Sequence, residues 1–312
     1  MQGTTLAELA FGATPRDCYN TRDLKDGIGG AAQSITSIRM VTWLAPGLPL
    51  AFFAQVQKTV QAALGVSVFL ESRTKRSGPQ IGSLDPFANA MAEVGLLCAP
   101  AAVPHTLRQQ AGFELLGIAP LFDDERYRQQ PTCYWDLVVN RDNRATGLED
   151  LRGLTFRYSD TSSLSGWLGL SAELRKRQTT PKDFVGTLVQ TGGHPNSLKD
   201  LRKQTIHVAA IDSNVLHTHP NALQGLKVVD SVGPWPSQPV VVRSTLYAHL
   251  KGRIKEALLT CGPGPTWRFL GFRPQTTAEL EVVPSAASTA AVGAASYRRG
   301  GGTGQLELKV SS

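Results

Sequence analysis

The chain has 312 residues, of which 41% are hydrophobic and 18% are charged. This balance excludes a wholly disordered protein, and the lack of any run of about 18 apolar residues excludes a transmembrane helix. The net charge of +7 is spread along the chain and only 7% of residues are aromatic, so neither the basic stripe nor the stacking platform of a nucleic-acid-binding protein is visible.

Residues 1–36 are expected to form a disordered N-terminal extension. They contain no basic segment followed by an apolar one, so no secretory signal is recognisable, and no apolar stretch precedes Cys18 as it would at a lipid-attachment site. This leaves the compartment open: the protein is cytoplasmic, or the start of the chain is wrongly assigned. The four cysteines lie far apart with no CxxC pair, which favours free thiols over a disulfide framework or a zinc site.

From about Ser37 onwards, short apolar runs alternate with helical patterns. Ile38–Leu44 predicts a strand, and Leu48–Leu64 predicts a helix that Gly65 closes. Further strands are predicted at Val66–Leu70, Val94–Leu97, Glu114–Ile118, Leu154–Tyr158, Val185–Val189 and Ile206–Ile211. This alternation is typical of an α/β fold with a mostly parallel sheet that helices cover on both faces.

Two β-rich stretches, Cys133–Asn140 and Val228–Arg243, interrupt the alternation, and we interpret them as crossovers between two lobes. Residues 37–133 plus 235–283 would then form lobe 1, and residues 134–234 would form lobe 2. Residues 284–312 are rich in Ala, Ser and Gly and are expected to be a disordered C-terminal tail. Two lobes joined by two strands leave a cleft between them, which is a favoured place for a ligand.

A hydroxyl-rich loop follows the strand that ends near Tyr158, and a helix is predicted to begin near Ser165. Ser162, Ser163 and Ser165 would then place hydroxyl groups beside the free backbone N–H groups of a helix start, which attract anions. Gly166 would let a ligand approach the backbone closely. The alternative is an ordinary N-cap, since serine is preferred there in any case.

Two further strands also end in polar residues. The Gly192-Gly193-His194-Pro195 segment follows one of them, so His194 lies at the start of a helix, where it could donate to an anion or be only a cap or a surface histidine. Asp212 follows the apolar strand Ile206–Ile211. It could receive a cationic group of a ligand or cap a helix that begins near Ser213.

Taken together, these segments resemble the phosphonate-binding (phosphate/phosphite/phosphonate) proteins of ABC importers. The resemblance covers about residues 38–272 and rests on the order and spacing of several short segments. They are Asp150-Leu151-Arg152-Gly153, Ser163-Leu164-Ser165-Gly166-Trp167, Gly192-Gly193-His194, Ala209-Ala210-Ile211-Asp212-Ser213 and Pro239-Val240-Val241-Val242-Arg243. Two positions differ from the family pattern: Leu164 stands in place of a threonine, and His207 in place of an acidic residue.

The resemblance implies a two-lobed type 2 periplasmic-binding-protein fold that closes like a hinge on a phosphonate, phosphite or phosphate ester. It implies that Ser163, Ser165, Gly166 and His194 hold the phosphonate group. Asp212 would face the other end of the ligand, and Trp43 is the nearest aromatic candidate to line the cleft. An ABC permease is the implied partner, and a periplasmic or cell-surface location is the implied compartment.

Other functions remain as alternatives. His217-Thr218-His219 with Asp212 is a conceivable metal cluster, but residues two apart on a helix diverge. Nucleophile-elbow, dinucleotide-binding and P-loop patterns are absent from the sequence. The same fold also carries enzymes, such as pyrimidine-precursor synthases, and could serve a sensor that is independent of transport. We expect a monomeric binding protein without catalytic residues, metal or cofactor.

Overall fold

The computed structural model describes residues 35–43, 47–73, 78, 85–107, 112–159, 163–190, 192–263, 268–283, 298–299 and 306–307. The predicted N-terminal extension, up to residue 34, and most of the predicted C-terminal tail lie outside the described residues. The two short strands described in the tail pair with each other, and Glu307 pairs with Val189. All elements described below belong to one compact unit, Thr36–Ser312.

The strands are β1 (Ser37–Trp43), β2 (Ser67–Arg73), β3 (Val94–Leu96), β4 (Phe113–Leu115), β5 (Ile118–Phe122), β6 (Thr132–Asn140), β7 (Thr155–Tyr158), β8 (Thr187–Gln190), β9 (Val208–Asp212), β10 (Leu226–Pro236), β11 (Val240–Arg243), β12 (Phe269–Pro274), β13 (Arg298–Arg299) and β14 (Leu306–Glu307). The helices are α1 (Leu50–Leu64), α2 (Ala99–Leu107), α3 (Gly169–Lys176), α4 (Pro181–Phe184), α5 (His194–Arg202), α6 (Ser213–Thr218), α7 (Ala248–Leu259) and α8 (Thr277–Glu281). Within the described ranges, no helix has the length and apolar character needed to span a bilayer.

The first sheet has the strand order β2-β1-β3-β11-β4, and only β11 runs against the direction of the others. Helix α1 follows β1 and ends at Gly65, whose φ of 70° lies in the left-handed region that glycine adopts readily. The predicted strand is therefore confirmed from Ile38 to Trp43, with Leu44 outside the described residues, and the helix that Gly65 closes is confirmed as well.

One predicted strand of this lobe is wrong. Glu114–Ile118 is expected as a single strand, but the structure has two short strands, β4 and β5, on either side of Gly117. Gly117 has a φ of 71°, which turns the chain out of the extended conformation. Strand β4 joins the first sheet, whereas β5 pairs with β12 in a separate two-stranded sheet.

The second sheet has the order β10-β6-β9-β7-β8-β14-β13. Its centre consists of β9, β7 and β8, which run parallel to one another, while β6 runs antiparallel to both β9 and β10. Strand β14 likewise runs antiparallel to its neighbours β8 and β13, so most strands of each described sheet share one direction. The predicted α/β class is confirmed.

Strands β6 and β10 connect the two sheets. Strand β6 follows β5, pairs with β10 along its length from Thr132 to Asn140, and enters the second sheet; β10 leaves that sheet and leads into β11. These two strands are the predicted crossovers. The exact lobe boundaries, 133/134 and 234/235, stay a proposal.

A stacked tryptophan pair lies where the crossover strands meet the second sheet. The rings of Trp135 and Trp235 are 5.8 Å apart with an interplanar angle of 19°. Trp135 is completely buried, and its ring lies so close to Gly169 in α3 that a Cβ there would be 1.7 Å from Cζ2 of Trp135. Only glycine fits at this point, so the indole fixes the position of α3 against the sheet.

We therefore expect Gly169→Ala to lower the free energy of unfolding by about 1–3 kcal/mol, because the bulky, stacked indole has to shift. Gly252→Ala is the matched control, since Gly252 also lies in a helix but nothing lies within 4 Å of its added Cβ. There we expect stabilisation by about 0.5–1 kcal/mol. Urea denaturation of both variants measures the difference; an equal effect of both changes would contradict the packing argument.

Candidate functional site

Three neighbouring strand ends create the candidate site. Strands β8, β7 and β9 are adjacent and parallel, so their carboxyl ends lie at one edge of the second sheet. Loops at this edge build binding crevices in α/β sheets. The helices that follow these strands begin there, and they carry most of the predicted site residues.

The helix after β7 begins at Leu164, one residue earlier than predicted, as a short π-helix (Leu164–Leu168) that continues into α3. Ser163 is its N-cap: the amide of Gly166 donates to the Ser163 hydroxyl over 3.1 Å. The N-cap alternative is therefore confirmed for Ser163. It does not account for Ser165, whose hydroxyl has a different partner.

Gly166 lies in close contact with the end of β7. A Cβ on Gly166 would lie 2.3 Å from Oγ and 2.8 Å from the backbone nitrogen of Ser159. Ser159 is only 1% exposed, and among the described residues its hydroxyl has no hydrogen-bond partner. Sequence analysis missed Ser159, although its position directly after a predicted strand is the same signal that identified Asp212.

His194 and Ser165 meet in the buried space between two of these loops. Oγ of Ser165 and Nε2 of His194 are hydrogen-bonded at 2.9 Å, and His194 has 0% exposure. The amide of Gly192 also donates to the carbonyl of Ser159 over 3.0 Å, which ties the loop after β8 to the end of β7. His194 is therefore not the surface histidine of the alternative interpretation.

The pKa of His194 is lowered to about 4, mainly by burial and to a smaller extent by the nearby imidazole of His219, while a backbone hydrogen bond with Ala210 opposes the shift. The imidazole is consequently neutral at pH 7. The structure thus joins Ser163, Ser165 and Gly166 on one helix start with His194 on the next. These neutral groups supply hydrogen bonds at the amino ends of two helices.

Asp212 ends β9 and caps α6, because its carboxylate accepts a 2.9 Å hydrogen bond from the amide of Asn214. The capping interpretation is therefore confirmed. Burial raises the pKa of Asp212 to about 7; the charge of Asp136 adds to the shift and the Asn214 amide opposes it. Asp212 lies at the same sheet edge as Ser165 and His194, and its predicted role towards a ligand stays a prediction.

The pH dependence of stability tests this environment. The Asp212 carboxyl ionises near pH 3.9 in the unfolded chain but near pH 7 in the folded protein, so it makes the free energy of unfolding fall as the pH rises from about 4 to about 7. Asp212→Asn keeps a good N-cap and does not titrate. We expect the variant to lose less stability over this range, by on the order of 3 kcal/mol. Denaturant titrations at several pH values measure the free energy of unfolding of both proteins. An equal change with pH in the wild type and in Asp212→Asn would contradict the prediction.

The two remaining predicted residues are not joined to this cluster. Trp43 is 4% exposed and packs in the core of the first sheet with Phe87 and Leu97, with Arg73 lying 5.7 Å from its ring centre. Ser162 lies outside the described residues. The ligand contacts proposed for these two residues stay predictions.

The two residues that depart from the family pattern, Leu164 and His207, lie in different places relative to the site. Leu164 is buried in the core of the second lobe at the first turn of the π-helix. His207 is exposed at the amino end of β9, the opposite end from Asp212, and Nδ1 of its ring accepts a 3.1 Å hydrogen bond from the amide of Thr155. The change to histidine therefore lies away from the strand ends that form the site.

The histidines considered as metal ligands have separate partners. Nε2 of His217 lies 2.7 Å from Asp124, whereas Nδ1 of His219 lies 3.0 Å from the carbonyl of Val215. In the part of the chain that the structure describes, no three His, Cys, Asp or Glu side chains form a group that could hold a metal ion.

Comparison with known proteins gives one family match. A family model described as "ABC transporter, phosphonate, periplasmic substrate-binding protein" matches residues 86–286. No curated protein matches the sequence.

Among solved structures, the binding component of an ABC phosphonate transporter from Pseudomonas aeruginosa is similar, with a TM-score of 0.61, 17% identity and coverage of 78% of this chain and 83% of that chain. PhnD1 from Prochlorococcus marinus in complex with methylphosphonate gives a TM-score of 0.61 at 13% identity, covering 79% of this chain and 95% of that one. A Xanthomonas citri protein bound to ATP gives 0.57 at 17% identity, covering 83% and 98%. These likenesses establish the two-lobed type 2 periplasmic-binding-protein fold.

Proposed function

Since the chain belongs to the phosphonate-binding family, the periplasmic substrate-binding proteins of ABC transporters, we propose that it captures a small oxyanion between its two lobes. The ligand is a phosphonate, a phosphite or a phosphate ester. The lobes close on it by a hinge motion at the two crossover strands, and an ABC permease receives it for import. Binding involves no covalent chemistry.

The observation that carries this proposal is the buried hydrogen bond between Ser165 and His194. It brings a hydroxyl and an imidazole together at the amino ends of two helices, where backbone N–H groups and the helix dipole favour an anion. Gly166, which has no room for a Cβ, lets the start of its helix pack directly against Ser159 at the end of β7. Ser163 and Ser159 add hydroxyl groups on the same side.

Because the imidazole of His194 is neutral at pH 7, the site suits a ligand that is itself negatively charged. His194 is neutral at pH 7, and an anion beside it favours its protonated form. Hydrogen bonds to a charged group contribute about 1.5–3 kcal/mol each, so three or four of them support micromolar binding after ordering costs. A cationic group at the other end of the ligand would likewise favour the ionised form of Asp212.

Methylphosphonate, phosphite, phosphate and an aminoalkylphosphonate are suitable probes for a thermal-shift screen, since specific binding raises stability by mass action. For the best probe, we expect Ser165→Ala and His194→Ala each to weaken binding at least several-fold in calorimetry, because each removes a hydrogen bond to the anion. Ser171→Ala is the matched control. Its hydroxyl lies in the same helix but donates to the carbonyl of Trp167, so its removal should leave the affinity unchanged.

Equal affinity of the wild type and both site variants would refute the assigned roles. Phosphorus NMR of the protein incubated with the same probe separates binding from catalysis. We expect only the resonance of the ligand itself, free and bound; a product resonance that grows with time would contradict a pure binding function.

A further inference from the structure

A glycine of the first lobe lies directly against the helix starts of the second. Gly47 lies between β1 and α1. A Cβ built on it would lie 3.1 Å from Cδ of Pro195, 3.3 Å from Cγ2 of Val215 and 3.4 Å from Cβ of His194. Pro195 and His194 begin α5, and Val215 lies in the first turn of α6, so Gly47 lies against the amino-terminal turns of both helices.

Two independent features favour glycine at position 47. Its φ of +86° lies in the left-handed region, which residues with a Cβ rarely adopt. In addition, a Cβ would lie only 3.1–3.4 Å from side-chain atoms of the second lobe, which is tighter than most Cβ contacts. The first feature belongs to the backbone at Gly47, whereas the second exists only while the two lobes touch.

The residue beneath Gly47 is the histidine that is bonded to Ser165. His194 has 0% exposure, and Gly47 of the first lobe lies next to its Cβ. A Cβ at position 47 would be in tight contact with α5, so either the first lobe or Pro195, in the first turn of its helix, would have to move by a few tenths of an ångström.

We infer that Gly47 is the contact through which the first lobe closes over His194, and that the absence of a side chain at position 47 sets how closely the lobes can approach at the anion site. Gly47 is thus a positioning residue: it acts through the cover it gives to His194 and not through a bond to the ligand. The part of this inference that concerns affinity rests on the proposed function. The contact itself does not.

A matched control separates closure from backbone strain. Gly65 has a similar φ of +70°, and nothing lies within 4 Å of a Cβ built on it. Alanine at position 65 therefore imposes the left-handed strain without touching the second lobe. Any effect that Gly47→Ala shows beyond that of Gly65→Ala comes from the contact between the lobes.

The first measurement needs no ligand. An NMR titration follows the ring protons of His194, assigned by their disappearance in His194→Gln. In the wild type we expect the low pKa of a covered imidazole, about 4. Gly47→Ala should raise this pKa by about one unit or more towards 6.5, because water reaches the ring when the lobes separate, and Gly65→Ala should leave it unchanged. Equal pKa values in all three proteins, or equal shifts in both variants, would overturn the inference.

The second measurement is the affinity for methylphosphonate. We expect Gly47→Ala to weaken binding about 10-fold or more and Gly65→Ala to change it less than two-fold. Pro195→Ala removes the atom nearest to the new Cβ. Gly47→Ala should therefore weaken binding less in a Pro195→Ala background than in the wild type. If the titration separates the two glycine variants but no variant binds the probe, the contact stands and the proposed function fails.

Discussion

The candidate site depends on one constraint of topology: three parallel strands end side by side. Because β8, β7 and β9 share one edge of the second sheet, the residues that follow them are brought together although they are far apart in sequence. The hydrogen bond between the amide of Gly192 and the carbonyl of Ser159 and the one between Ser165 and His194 then join two of these loops directly. Without the parallel pairing, neither hydrogen bond could form.

The chemistry of the site follows from burial rather than from fixed charge. His194 is held neutral, and Asp212 is held near its midpoint of ionisation at pH 7, because both are shielded from water. The charge of the buried arginine of β7, Arg157, is paired with that of Asp200 in α5. A site of neutral donors distinguishes between ligands by the number and direction of its hydrogen bonds. The net charge of +7 assists the approach of an anion over a longer range.

The sequence was sufficient for features that depend on local patterns. The apolar runs located β7, β8 and β9, Gly65 marked the end of α1, and Asp212 was identified as a possible cap because it separates an apolar run from a helical one. Contacts between segments remote in sequence were not predictable. Nothing in the local sequence shows that Gly47 lies against Pro195 and His194.

The packing of Trp43 was also not predictable from its place at the end of a strand. The structure places it in the core of the first sheet, and its contact with a ligand stays a prediction. The break between β4 and β5 was missed because Gly117 lies within an otherwise continuous apolar run, where a glycine with positive φ looks no different from an extended one.

The most direct test of the account is a crystal structure of the protein with methylphosphonate. We expect the phosphonate oxygens to lie about 2.7–3.2 Å from Oγ of Ser165 and Nε2 of His194, next to Gly166, with Gly47 closed over His194. A phosphonate bound elsewhere, with the Ser165–His194 hydrogen bond intact, would contradict the claim that these two strand-end loops form the anion site.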